Sequence, residues 1–347
     1  MNAQVSEVAQ MSTGIYDRRL ILKVCYQFYR LGLSHTEIAE KLGVSRFQVA
    51  RMLRTALEDG YVVVKILEPE RWHSDLERAI EERYSLKTVI VVDDDNLDDD
   101  EVKWRVGDAA GRYLLEILSD GDILGVSLGS TIQALVDRLP DRIHRRVEVV
   151  QLIGGSPHIR SQVSPEFLTT QLADRFRGRS HLLYAPAVVD GNALRDSLLA
   201  DSSIQATYAM YRELNVAVLG IGALAQGTTS RLLYGGIIDE TLLHTLLEQG
   251  AVGDVLSYIY RSDGSLVTTA LDDCVVAIPL QDLLRVPCRI GVAAGLAKVQ
   301  AIEGALRGGF INVLVTDSRV AQALCDPQSV EAFARPPGNP HVESIPP

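Results

Sequence analysis

The 347-residue chain is short of cysteine, lysine and long apolar runs, and each shortage removes a class of protein. No stretch approaches the ~18–20 uncharged apolar residues needed to cross a bilayer, so a membrane protein is not expected. The first fourteen residues lack the basic-then-apolar pattern of a secretory leader, so export is not expected either. Cys25, Cys274, Cys288 and Cys325 lie far apart with no C-x-x-C pair. That spacing reads as reduced cytoplasmic thiols rather than a disulfide framework or a zinc site, and no metal or cofactor is expected. After Lys103 a single lysine remains, Lys298. What is present, 47% hydrophobic and 23% charged residues, suits ordinary buried cores, and the length suits two or three domains. The formal net charge of −11, taken whole, weighs against a nucleic-acid partner.

The charge is segregated. Between Asp17 and Thr55 eight basic residues (Arg18, Arg19, Lys23, Arg30, Lys41, Arg46, Arg51, Arg54) face three acids (Asp17, Glu37, Glu40), a net of +5 that leaves −16 for the remainder. The acids are densest at Asp93–Glu101, seven in nine positions. This run lacks the ligand spacing and turn glycine of a calcium loop and is expected to be a solvated loop. A small basic head is thus joined to a large acidic body.

In the head, Leu20, Ile21, Val24, Cys25 and Phe28 have the spacing of an amphipathic helix over Asp17–Tyr29. Ser34 and Glu37 form a capping box that opens a short helix burying Ile38, Ala39 and Leu42, and Gly43 supplies a turn. Ser45 and Gln48 form a second box, opening a helix to about Glu58 with Val49, Met52, Leu53, Ala56 and Leu57 on its inner face. Two capped helices joined by a tight turn describe a helix-turn-helix, whose second helix presents its first residues to the major groove. Ser45, Arg46, Phe47, Gln48 and Arg51 hold that place. Arg46 suits guanine, Gln48 adenine and Phe47 a thymine methyl, while Arg18, Arg19 and Arg54 suit phosphates. The competing reading is a helical hairpin with a solvated basic face.

Beyond Pro69, a helix is expected over Asp75–Tyr84 and a strand over Lys87–Val92. Further strands are expected at Ile123–Val126, Val147–Ile153, His181–Tyr184, Val216–Ile221, Val275–Ile278, Ile290–Ala293 and Ile311–Val315. Helical patterns lie between them, near Trp104–Leu118, Thr131–Leu139, Pro165–Phe176, Ser203–Glu213, Asp239–Gln249 and Leu296–Leu306. The alternation predicts a Rossmann-like α/β domain with a mainly parallel sheet covered on both faces. Ligands of such sheets bind beyond the carboxyl ends of the strands. Three glycine-rich loops fall there. Gly125–Gly129 has the Gly-x-Ser-x-Gly form of a nucleophile elbow at Ser127, but no histidine follows in a fitting place. Gly129, Ser130 and Thr131 at a helix start also suit an anion cradle. Gly220–Gly222 is a partial dinucleotide fingerprint without its preceding βαβ half. Gly291–Lys298 sets a lysine beside the last loop, where it would pair with an anionic ligand or stand solvated on the surface.

The sequence resembles the SorC family of bacterial sugar-responsive transcriptional regulators, related to deoxyribonucleoside regulators, over Asp17–Asp326. The resemblance rests on His35–Ser45 in the head and on an ordered series in the body: Leu124–Thr131, Val150–Gly155, Tyr184–Pro186, Leu219–Gly222, Gly250–Asp254, Ala293–Lys298 and Asn312–Asp317. It implies a head at 17–68 that binds operator DNA and an effector and oligomerisation domain at 69–334. That domain would be related in fold to ribose-phosphate isomerase and glucosamine-phosphate deaminase. Outside the resemblance, 1–16 and the tail 335–347, with five prolines in thirteen residues, are expected to be disordered. It implies homo-oligomers, dimers or tetramers, and a sugar or sugar-phosphate effector. The matching loops place Gly129, Ser130, Thr131 and Lys298 at the effector phosphate, with Gly154, Gly155 and Asp254 at sugar hydroxyls. Leu128 and Asn215 depart from the family pattern, at positions usually aromatic and often Asp, and would alter ligand choice. Ser74–Tyr84 and the apolar faces of the body are candidates for packing subunits. The rival reading is a sugar-phosphate isomerase or deaminase with a fused basic head. It would need a histidine–carboxylate pair, and His158 and His181 are its only loop candidates.

Overall fold

Asp17, Ser34 and Ser45 each start a helix in the N-terminal unit, and in each case the side-chain oxygen accepts an early helix N–H. In the computed structural model, which describes residues 17–62, 73–94, 97–155, 163–225 and 238–326, the chain divides into units Met1–Pro69 and Glu70–Pro347. The expected disordered ends, the residues around Pro69 and His158 lie outside the described residues.

The head contains α1 (Arg18–Cys25), continued by a π-helical turn over Tyr26–Arg30, then α2 (His35–Leu42) and α3 (Arg46–Glu58). Both capping boxes close: Ser34 N–H donates to Glu37 Oε2 at 2.8 Å, and Ser45 N–H to Gln48 Oε1 at 2.8 Å. Gly43 has φ +67°, a conformation that costs a side-chain-bearing residue energy, and so lets α2 turn sharply into α3. Ile21, Val24, Cys25, Ile38, Ala39, Val49, Met52, Leu53 and Ala56 form the core. Leu57, expected inside, is 45% exposed, since it lies one step round the helix from Ala56. Leu42 is half-buried.

The C-terminal unit is built on seven parallel strands. They are β1 (Thr88–Val92), β2 (Ile123–Val126), β3 (Glu148–Gln151), β4 (Ser180–His181), β5 (Val216–Gly220), β9 (Cys288–Val292) and β10 (Val313–Asp317). A small antiparallel sheet is made of β6 (Gly222–Ala223), β7 (Ala251–Val255) and β8 (Tyr258–Arg261), which fall between β5 and β9 in the chain. The large sheet has the order β1-β10-β9-β5-β2-β3-β4. Alternate residues serve opposite cores: Ala217, Leu219 and Leu314 face one, and Val216, Val218, Val313 and Val315 the other. Burial on both faces is why these strands read as unbroken apolar runs.

Helix α4 (Ser74–Tyr84) packs on β1 through Ile80, so its apolar face is spent within its own unit. Its Glu81 and Glu77 carboxylates accept the outward N–H groups of Val89 and Val91 at 2.8 and 2.9 Å. Helices α5 (Asp99–Ile117) and α6 (Ser130–Arg138) meet closely at Gly107, where a Cβ would lie 2.7 Å from the Ala134 main chain.

The acidic run is not a uniform solvated loop. Asp98 caps α5 in a capping box with Glu101, and Asp94 is 4% exposed, bonded to Ser318 and Arg319. Val275–Ile278 is no strand either; it makes isolated antiparallel bridges to Val188 and Ile153. Sequence periodicity passed over the helices Asn192–Leu199 and Ser318–Cys325 and the β7–β8 hairpin.

Candidate functional site

Strands β2, β3 and β4 run outward in one direction, while β5, β9 and β10 run the other way from β2. The order therefore reverses between β2 and β5, where an open α/β sheet leaves a crevice at the carboxyl ends of its strands. A cavity of about 620 Å³ lies there, a size that suits a small metabolite. Its wall includes Gly129, Ser130, Thr131, Gly154, Asp254 and Lys298.

After β2, Ser127 is 1% exposed and its Oγ accepts the Gly220 N–H at 2.9 Å, tying the ends of β2 and β5 together. A buried hydroxyl used in this way, with no histidine among the described residues lining the cavity, does not fit a nucleophile. Helix α6 then begins at Gly129 without a side-chain cap, whereas α5 has Asp98 and the helix Pro165–Arg175 has Ser164. The first-turn N–H groups of a helix have no partner within it, and here Ser130, Thr131 and Ile132 line the cavity. Thr131 itself is 4% exposed.

After β9, Gly295 has φ +97° and again caps without a side chain, at the 3₁₀ turn Leu296–Lys298. Its N–H donates to Asp317 Oδ2 at 2.7 Å, and Asp317 Oδ1 accepts from Val320 at 3.0 Å. Burial pushes the Asp317 carboxyl above its ordinary pKa. Lys298 is not a solvated surface lysine: it is half-buried, and its Nζ donates to the Ile221 carbonyl at 2.9 Å.

Gly220–Gly222 leads from β5 into β6 rather than into a helix, so the dinucleotide fingerprint lacks the helix that would hold a pyrophosphate. Gly222 instead makes room for Asp254, since a Cβ there would lie 2.0 Å from Asp254 Oδ1. Gly155 is not among the lining residues; its N–H and carbonyl pair with Ala185 and Ala187. Leu128 lines the cavity. Asn215 does not, because it bonds to Ile123 at the opposite, amino ends of β2 and β5. Leu256, Ser257 and Arg319 also line it, without any signal in the sequence pattern. His181 pairs with Glu148 at 2.6 Å, but Glu148 opens β3 and so lies at the strand ends away from the cavity.

In the head, Ser45, Arg46, Phe47, Gln48, Arg51 and Arg54 are all exposed, opposite the buried Val49, Met52, Leu53 and Ala56. Phe47 is 73% exposed, with the Arg46 guanidinium 5.0 Å from its ring centre. Ser45 Oγ and the Gln48 side-chain oxygen take part in the capping box, while the Gln48 amide N–H groups and the second lone pair of Oε1 are left for a partner. Among the described residues no helix is long and apolar enough to cross a membrane, and no acid, histidine and cysteine group could hold a metal.

A family model described as "Putative sugar-binding domain" matches residues 71–326. The sorbitol operon regulator of Klebsiella pneumoniae is 30% identical over 312 residues, 89% of this chain and 98% of the relative. The deoxyribonucleoside regulator of Bacillus subtilis is 30% identical over 308 residues, 88% and 97% of the two chains. The transcriptional regulator LsrR of Escherichia coli is 26% identical over 322 residues, 92% and 98%. The crystal structure of the full-length Klebsiella regulator superposes with a TM-score of 0.70 at 30% identity, covering 90% of this chain and all of that one. A DeoR family regulator from Listeria monocytogenes superposes with a TM-score of 0.66 at 25% identity, covering 72% and 98%.

Proposed function

The chain belongs to the sugar-binding-domain family of SorC-type transcriptional regulators, and from that premise we propose that it regulates a carbohydrate or polyol operon in response to a phosphorylated sugar. The observation that carries the reading is the convergence, in one cavity, of the start of α6, which lacks a side-chain cap, with Lys298, the last lysine of the chain. Backbone N–H groups at a helix start together with an ammonium favour a phosphate dianion. Gly129, Ser130, Thr131 and Lys298 take the phosphate; Gly154 and Asp254 face the sugar, with Gly155 holding that loop from behind.

The division near Pro69 separates the two tasks. The head, 17–68, reads operator DNA: Arg46, Phe47, Gln48 and Arg51 address base edges, Ser45 fixes the start of the helix, and Arg54 binds a phosphate. The body, 69–334, senses the ligand and assembles the chain into a dimer or tetramer in the cytoplasm. Occupation of the cavity changes DNA affinity only as far as the ligand prefers one arrangement of the oligomer over the other. The protein binds its effector and releases it unchanged, in keeping with its likeness to transcriptional regulators.

The test is a thermal-shift panel of sugars, polyols and their phosphates, followed by binding to upstream DNA with and without each hit. A ligand that binds only the folded state raises the melting temperature. The reading expects phosphorylated compounds to act and to alter DNA binding. A panel in which free sugars act and their phosphates do not would overturn it.

A further inference from the structure

The β7–β8 connection carries strain at the wall of the cavity. Val255 pairs with Tyr258, which leaves Leu256 and Ser257 as a two-residue hairpin loop. Their φ angles are +54° and +68°, the left-handed sign that such loops require at both central positions. Asn and Gly meet that requirement readily; a leucine does not. Here neither residue is glycine, and both line the cavity. Leu256 is held by the main core, and the Ser257 N–H donates to Asp254 Oδ2 at 3.2 Å.

Ser257 carries a second anomaly. It is 6% exposed, and its Oγ is buried with no hydrogen-bond partner. An unmade hydrogen bond of this kind costs more than a made one contributes, so native structures rarely keep one without use. Strained backbone and an orphan hydroxyl coincide at one residue of the ligand cavity, beside a carboxylate that also lines it.

We infer that Ser257 reads a hydroxyl of the ligand. A turn about its χ1 bond carries Oγ between staggered positions, from its closed site to the ligand. Asp254 is an acceptor only, and Ser257 both donates and accepts, so the pair fits an O–H group and repels a carboxylate. This rests on the sugar-phosphate reading and sharpens it: the effector is a phosphate ester with a free hydroxyl at this point, and a deoxy analogue leaves Ser257 unsatisfied.

The experiment is calorimetric titration of the full chain, and of Ser257→Ala, Ser257→Gly and Lys298→Ala. The probes are sorbitol 6-phosphate, ribose 5-phosphate, 2-deoxyribose 5-phosphate and inorganic phosphate. Both Ser257 variants are expected to lose about three- to tenfold in affinity for the hydroxyl-rich esters, the scale of one neutral hydrogen bond. Binding of inorganic phosphate should stay unchanged, and preference for an ester over its deoxy analogue should shrink. Without ligand, Ser257→Ala should melt about 2–4 °C higher, because the orphan hydroxyl is gone. A merely structural serine would lose stability and affinity together, and that result overturns the inference. If Lys298→Ala abolishes ester binding while the Ser257 variants bind like wild type, only this inference falls. If wild type binds none of the esters, it falls together with the reading beneath it.

Discussion

The Lys298 ammonium donates to the main-chain carbonyl of Ile221 at 2.9 Å, joining the loop after β9 to the loop after β5. The bond holds the charge over the cavity instead of letting it trail in solvent. Lys298→Ala is expected to weaken binding of a sugar phosphate about 10–100-fold, the scale of a hydrogen bond to a charged group. It should leave the circular dichroism spectrum unchanged. Titration with the best hit of the thermal-shift panel measures both, and undiminished affinity would remove the lysine from the site.

The exposed side of α3 makes a different prediction. Arg46→Ala should cost about 1–3 kcal/mol on the cognate operator and relax discrimination between sequences. Arg54→Ala should weaken cognate and random DNA alike and reduce the salt slope by about one unit. Fluorescence anisotropy at several salt concentrations separates these outcomes. Equal effects of both variants on specificity would show that the bases are read elsewhere.

The helix α5–α6 crossing depends on a missing side chain. A Cβ on Gly107 would meet main-chain atoms of Ala134 and Leu135 at 2.7 Å, and neither can rotate away. Gly107→Ala should destabilise the body by roughly 1–3 kcal/mol through overpacking. Denaturant melts of the two units would show the loss in the body alone.

Alkaline titration offers a check on burial. Burial first, then the Glu303 carboxylate beside it, pushes the Tyr84 phenol up to about 12, and burial likewise pushes Tyr258 to about 12. Unfolded tyrosine ionises near pH 10, so these two groups favour the folded state fully below that pH. Their contribution is lost as pH rises from about 10 towards about 12. Absorbance at the tyrosinate band should therefore rise in two stages, with Tyr84→Phe and Tyr258→Phe each removing part of the late one.

Much of this was legible because it is local. Ser34 with Glu37, and Ser45 with Gln48, are pairs three residues apart whose bonds need nothing from the rest of the chain. Ile123–Val126 and Val216–Gly220 stand out because both faces of a parallel sheet are buried. What escaped depends on distant partners or on rare backbone conformations. Asp94 looks like any acid in its run until the fold brings Ser318 and Arg319 to it, more than two hundred residues along. Val275–Ile278 has the composition of a strand, but its Val275, Val276 and Ile278 N–H groups go to three separate places, Leu271, Ala187 and Leu152. Leu256 and Ser257 carry no turn signature at all, since the residues that usually mark such a turn are absent from it.

The glutamates of α4 have a consequence for assembly. An uncovered edge strand is a template on which another chain can lengthen the sheet. Along β1, Glu81 and Glu77 already occupy the N–H groups that a newcomer would seek. A second copy adding there would have to evict two carboxylates, exchanging bonds for no net gain while stranding their charge. Growth of a continuous intermolecular ribbon from this side is thereby blocked. Any contact between copies on this side has to be made through side-chain surfaces, where it can be remade without tearing a sheet.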